Sequence, residues 1–144
     1  MSRIFEALAA KAADPMLLAG RLLLALIFVH EAISLTIGFG AAAAVVSKVG
    51  IPPAGLVLVI LMQFGAGLMV GSGWHARLGS LALGLFCLAT AFLFHSNLSA
   101  RNELLHFEKD LAIAGGLFVL AAAGAGSLTV ERLFMVQRRL ESVG

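Results

Sequence analysis

Charge is scarce in this chain. Only 12% of its residues are Asp, Glu, Lys or Arg, where a soluble domain carries about 25%. The shortage excludes a separate soluble domain and leaves a polytopic membrane protein with short loops. Cysteine is nearly absent: Cys87 stands alone, which rules out an intramolecular disulfide and a CxxC redox pair. No phosphate loop, dinucleotide fingerprint or Ser/His/Asp order is present, and the glycines lie inside apolar runs rather than after strands. No HxxxH spacing points to a metal. No cleavable signal peptide is expected, because the first apolar run is too long for one and no small-residue cleavage site follows it. What fills the chain is apolar: 60% hydrophobic residues and a mean hydropathy of +1.01. The pI near 9.2 is no nucleic-acid signal, since the basic residues sit at the ends of apolar runs, as topology rules require.

The first long run, Met16 to Phe39, sets the central question. It is long enough to cross a bilayer, which takes about 20 apolar residues, yet it holds Arg21, His30 and Glu31. An ionisable group at membrane depth costs at least ~2.5–3.5 kcal/mol and usually marks a site. His30, Glu31 and Ser34 share one wedge of a helix. Arg21 is about 180° away. It is expected to snorkel to the interface and to tolerate Lys.

The remaining organisation follows in order. Residues 1–14 read as a short surface helix or a frayed end. Asp14-Pro15 reads as a helix start. Spans are predicted at about 15–38, 54–71, 78–95 and 109–126, and a short half-buried helix within 39–53 should stop at Gly50 and the prolines. Gly67 and Gly71 have the spacing of close helix packing, within the bundle rather than between copies. Residues 96–108 form a polar loop. A surface helix at about 129–141, capped by Ser127 or Thr129, alternates Leu133, Val136 and Leu140 with arginines. The fold class is therefore all-α: an integral membrane four-helix bundle in one domain, with short interfacial helices at both termini. Arg3, Lys11, Arg77, Arg132, Arg138 and Arg139 fall on one side against Lys48, Arg101 and Lys109 on the other. The positive-inside rule then puts both termini in the cytoplasm of a bacterial inner membrane.

Depth along the spans suggests a shared polar layer. At 1.5 Å per residue, Glu31, Gln63 and Cys87 all lie about 12–14 Å below the outer ends of their spans. Above them come Ser34, Thr90, His95, Glu108, Lys109 and Asp110. The candidate ligand-binding set is thus His30, Glu31, Ser34, Gln63, Cys87, His95, Glu108 and Lys109, around a shallow cavity open to the outside. Plainer readings stand beside it. Cys87 serves as a small buried hydrophobe, Thr90 bonds its own preceding turn, Gln63 glues two helices, and His95, Lys109 and Asp110 act as interfacial anchors. Glu31 is expected to face the interior and to need a cation, a proton or a ligand.

The order of several pieces resembles the DoxX family of small four-span membrane proteins. These are GRLLLALIFVHE in the first span, the VGIPP turn, a glycine-rich second span ending in Gly71, and His75-Ala76-Arg77-Leu78. The polar segment with Asn102 and Glu108 and the terminal GAGSL complete the series, over about residues 17–130. The resemblance implies a four-helix integral membrane protein. Members are similar to a subunit of thiosulfate:quinone oxidoreductase, and others are tied to thiol or oxidative-stress balance. Two departures matter. Family members often carry Gly after the first-span His and Lys three residues later, where this chain has Glu31 and Ser34. They often carry Glu where Gln63 stands. No catalytic residue is carried over.

Two functions follow as expectations. One is a quinone-linked or redox-associated subunit, with quinone as its cofactor and a redox partner protein supplying electrons. The other is a non-catalytic scaffold or anchor for a partner. Membrane lipid and a second copy of the chain are the other expected partners, and nucleic acid is not.

Overall fold

A computed structural model describes the backbone over residues 2–94 and 100–141, and the side chains over 12–94 and 100–135. Six helices follow one another: α1 (Ser2–Ile37), α2 (Phe39–Ser47), α3 (Pro53–Ser72), α4 (Ala76–Phe94), α5 (Arg101–Ala123) and α6 (Val130–Glu141). The described residues contain no strand, and the fold is an all-α membrane helical bundle. Among the described residues, three stretches are long and apolar enough to cross a membrane: Ala12–Ile37, Pro53–Ser72 and Ala76–Phe94. The long helices run antiparallel in sequence order, α1 against α3, α3 against α4 and α4 against α5, while α1 and α5 touch only lightly. One end of the bundle carries α2 and the start of α5. The other carries the start of α4 and α6.

Small residues set the closeness of this packing. A Cβ on Gly67 would meet Val29 Cγ2 at 3.0 Å, and one on Gly71 would meet Ala25 Cβ at 3.2 Å. The GxxxG face therefore lies against α1 inside the bundle. The core between the helices is apolar: Ala25, Phe28, Ala66, Val70, Leu83, Cys87, Ala114, Leu117 and Leu120. With no water in the hydrocarbon region, packing and backbone bonding within helices must hold such a bundle together.

Two sequence expectations change. The N-terminal residues form no separate surface helix, because α1 runs unbroken from Ser2. Pro15 removes one rung of its ladder, but Asp14 caps something else, as shown below. The polar stretch 96–108 is not a loop over its described part. Residues 101–108 are the first turns of α5. Leu104 and Phe107, three apart, turn inward on one stripe, and Phe107 meets Phe92 of α4 edge-to-face at 5.5 Å. The short helix α2 ends at Ser47, just before the turn at Gly50 and the prolines, and is half-buried, with none of its residues fully buried. At the far end of the chain α6 begins at Val130, and the cap is Thr129, whose Oγ1 accepts the Arg132 N–H at 3.2 Å.

Candidate functional site

Among the described residues the predicted polar layer does not assemble. The face of α1 that meets the bundle is set by Arg21, Ala25, Phe28 and Ala32, all buried, at spacings of four, three and four residues. Ala32 occupies the close contact, and Glu31, one residue earlier, falls about 100° off it. Glu31, His30 and Ser34 are all exposed, which corrects the expectation that Glu31 faces the interior. Gln63 and Cys87 lie in the packed core, 3% and 4% exposed. Glu108 and Lys109 are exposed on α5. His95 lies outside the described residues. No group of three or more His, Cys, Asp or Glu among the described residues could hold a metal ion.

Some of these groups do find partners near the α2 end. Thr90 Oγ1 donates within its own helix to the Phe86 and Cys87 carbonyls, and it lies 3.4 Å from Asp110 Oδ2. Lys109 Nζ is 3.4 Å from His106 Nδ1. Register also relates Glu31 to Lys109. Where α1 meets α5, Leu24 Cδ2 lies 3.9 Å from where a Cβ of Gly116 would sit. Seven residues on from Leu24 stands Glu31. Seven back from Gly116 stands Lys109, so the two groups share a depth. Both are exposed, and neither pairs with the other.

Among the described residues, Gln63 Oε1 and Ser80 Oγ are buried side-chain atoms without partners. Ser80 is fully buried. A Cβ on the neighbouring Gly79 would touch the Ala66 carbonyl and Met69, which sets Ser80 of α4 and Gln63 of α3 about one helical turn apart in level along the bundle.

The densest polar construction is at the α6 end, and the sequence pointed to it only as fragments. Residues 124–128, GAGSL, form a strap across the helix ends. Ser127 gives both its N–H, at 2.8 Å, and its hydroxyl to the Asp14 carboxylate. Asp14 thus holds a segment 113 residues away instead of starting α1. Arg77 Nη2 donates to the Ala123 carbonyl at 3.4 Å, with its guanidinium against Gly124. Arg21 does not snorkel. It is 1% exposed, and its Nη2 donates to the Leu128 carbonyl at 2.6 Å. Its Nε and Nη1 have no partner. Room for that guanidinium comes from Gly73, at φ +80 the left-handed cap of α3, where any Cβ would run into Arg21 Nη1. Just outside the strap lie two shallow grooves, one of about 470 Å³ where Arg77, Glu131 and Arg132 stand among small and apolar residues, and one of about 650 Å³ lined largely by apolar ones.

Known proteins bear on this arrangement. The DoxX family model matches residues 16–96. The inner membrane protein YqjF of Escherichia coli (strain K12) is 36% identical over 123 residues, 85% of this chain and 95% of that protein. The inner membrane protein YphA of the same organism is 24% identical over 124 residues, 81% of this chain and 89% of that protein. No solved structure matches the chain.

Proposed function

This chain belongs to the DoxX family, and from that premise we propose that it is a non-catalytic anchor subunit of a bacterial inner-membrane assembly. The inner-membrane placement rests on its relatives' names and on the three apolar helices. In this reading α5 is the fourth crossing, with Glu108, Lys109 and Asp110 at its outer entry, and both termini lie in the cytoplasm. The observation that carries the reading is the exposed polar strip on α1. Glu31 lies about 9 Å from the end of α1 at Ile37, on a helix whose exposed neighbours include Ile27 and Ile33. Left in lipid, it would cost the bundle at least ~2.5 kcal/mol at full depth. A partner helix that brings a cation to that depth removes the cost. Lys109 of a second copy is such a cation.

Purification in mild detergent tests this. The wild-type chain is expected to run with a second chain, its own copy or another protein, at fixed stoichiometry. Glu31→Leu should run as the single 15.0 kDa chain with unchanged thermal unfolding. A wild-type protein that is already a single chain with only lipid around it overturns the reading.

A second reading, a quinone-linked or redox-associated subunit acting with a partner protein, draws support from a different observation. Gln63 Oε1 and Ser80 Oγ are buried without partners. Both lie in the bundle core at neighbouring levels, and unpaired buried polar groups ask for an explanation such as a ligand head group. Quinone found at a stoichiometric level in the purified protein, and lost in a Gln63→Leu variant, would favour it.

A further inference from the structure

The two grooves at the α6 end adjoin and differ in chemistry. The first is lined by Gly73, His75, Arg77, Thr129 and Arg132, with Glu131 as its acid. The second is lined by Trp74, Val130, Phe134 and Met135. Glu131 and Met135 belong to both, so the grooves are continuous. Charge on this end favours an anion. Arg77 and Arg132 line the groove, and Arg21 lies behind Gly73 with two donors unpaired. Of the nearby carboxylates, Glu131 lines the groove and Asp14, hydrogen-bonded by Ser127, keeps its charge near Arg132, so three guanidinium groups, those of Arg21, Arg77 and Arg132, outnumber two carboxylates. The apolar half is open: Trp74, Phe134 and Met135 are 57%, 62% and 54% exposed. A cationic groove that continues into an exposed apolar one matches a molecule with an anionic head and a hydrocarbon tail.

We propose that these grooves bind one anionic phospholipid. Its phosphate lies between Arg77 and Arg132, and an acyl chain runs along Trp74, Phe134 and Met135. Guanidinium groups suit phosphate because their forked donors match its oxygens. Basic pockets beside membrane helices on the cytoplasmic side recognise anionic head groups, and amphipathic helices such as α6 lie at that level. A free phosphate would use only the first groove and leave the second exposed.

Trp74 is the only tryptophan in the chain, so its fluorescence reads the apolar groove directly. The full-length protein is reconstituted in phosphatidylcholine with increasing fractions of a phospholipid whose acyl chains are dibrominated, which quenches tryptophan on contact. Dibrominated phosphatidylglycerol should reach half-quenching at a roughly 25-fold lower mole fraction than dibrominated phosphatidylcholine, from about fivefold for each arginine. Arg132→Gln should reduce that preference about fivefold. Arg77→Gln should do the same, but Arg77 also holds the Ala123 carbonyl, so Arg132→Gln is the decisive variant. Equal quenching by the two lipids overturns the proposal, as does a preference unchanged in Arg132→Gln. Loss of the preference on adding inorganic phosphate also overturns it, because the site would then be a phosphate site that needs no lipid.

Discussion

Replacing Gly73 by alanine should loosen the whole α6 end. Gly73 closes α3 at φ +80, giving its N–H to the Met69 and Val70 carbonyls. An alanine there adopts the left-handed region at about 1–2 kcal/mol. Its Cβ would also lie 2.6 Å from Thr129 Cγ2 and 2.8 Å from Thr129 Cβ, and would collide with Arg21 Nη1. Neither neighbour can simply step aside. Thr129 is branched at the colliding atom and caps α6, and Arg21 is buried and tied to Leu128. Overpacking of this kind costs about 1–3 kcal/mol, so the total is about 2–5 kcal/mol. Cys87 provides the assay, because it is the sole thiol and is buried. Heating the detergent-solubilised protein with a thiol-reactive fluorophore reports unfolding as Cys87 becomes accessible. Gly73→Ala should lower the midpoint by roughly 5–15 °C. Gly115→Ala, where a Cβ meets nothing within 4 Å, should leave it unchanged. A Gly73→Ala midpoint within about 1 °C of wild type would refute the packing assigned to Arg21 and Thr129.

Arg21→Lys should lose the bond to the Leu128 carbonyl and destabilise by about 1.5–3 kcal/mol in the same thiol assay; an unchanged midpoint would mean the ammonium still reaches an acceptor. Glu31→Gln, on an exposed face, should change unfolding by no more than about 0.5 kcal/mol. A loss of ~3–5 kcal/mol, the cost of breaking a buried pair, would show that Glu31 is paired inside the chain. For topology, Asn102→Cys on a Cys87→Ala background should react with an impermeant thiol reagent in intact cells, while Glu131→Cys should react only after lysis. The reverse pattern would invert the orientation.

Membrane spans are legible in this sequence because glycine and proline punctuate long apolar runs. Gly50 with Pro52-Pro53, and Gly73, sit where helices stop and start. The first turns of α5 were hidden by their charge. Arg101, Glu103 and Glu108 read as a loop, while the inward stripe of Leu104 and Phe107 is only two residues long in that stretch. The inward face of α1 was harder still. In a membrane both the lipid side and the core side of a helix are apolar, so hydrophobic periodicity does not tell them apart. The usable signal was residue size: Ala25 and Ala32 mark the close contact, and counting from them would have put Glu31 outside. Arg21 was misjudged because its acceptor is a main-chain carbonyl 107 residues away, and no side-chain pattern announces that. GAGSL was visible as a motif, but its role as a strap depends on Asp14, Arg21 and Arg77 converging from two different helices.

The central claim is that the α1 strip of His30, Glu31 and Ser34 is covered by protein in the membrane. A photoreactive benzophenone side chain placed at Ser34, in unfractionated native membranes, measures this most directly. Leu61, exposed on α3, serves as the lipid-facing control. The account predicts a discrete protein adduct from position 34 that disappears when Glu31→Leu is added, with only lipid adducts from position 61. Lipid adducts alone from both positions would contradict it.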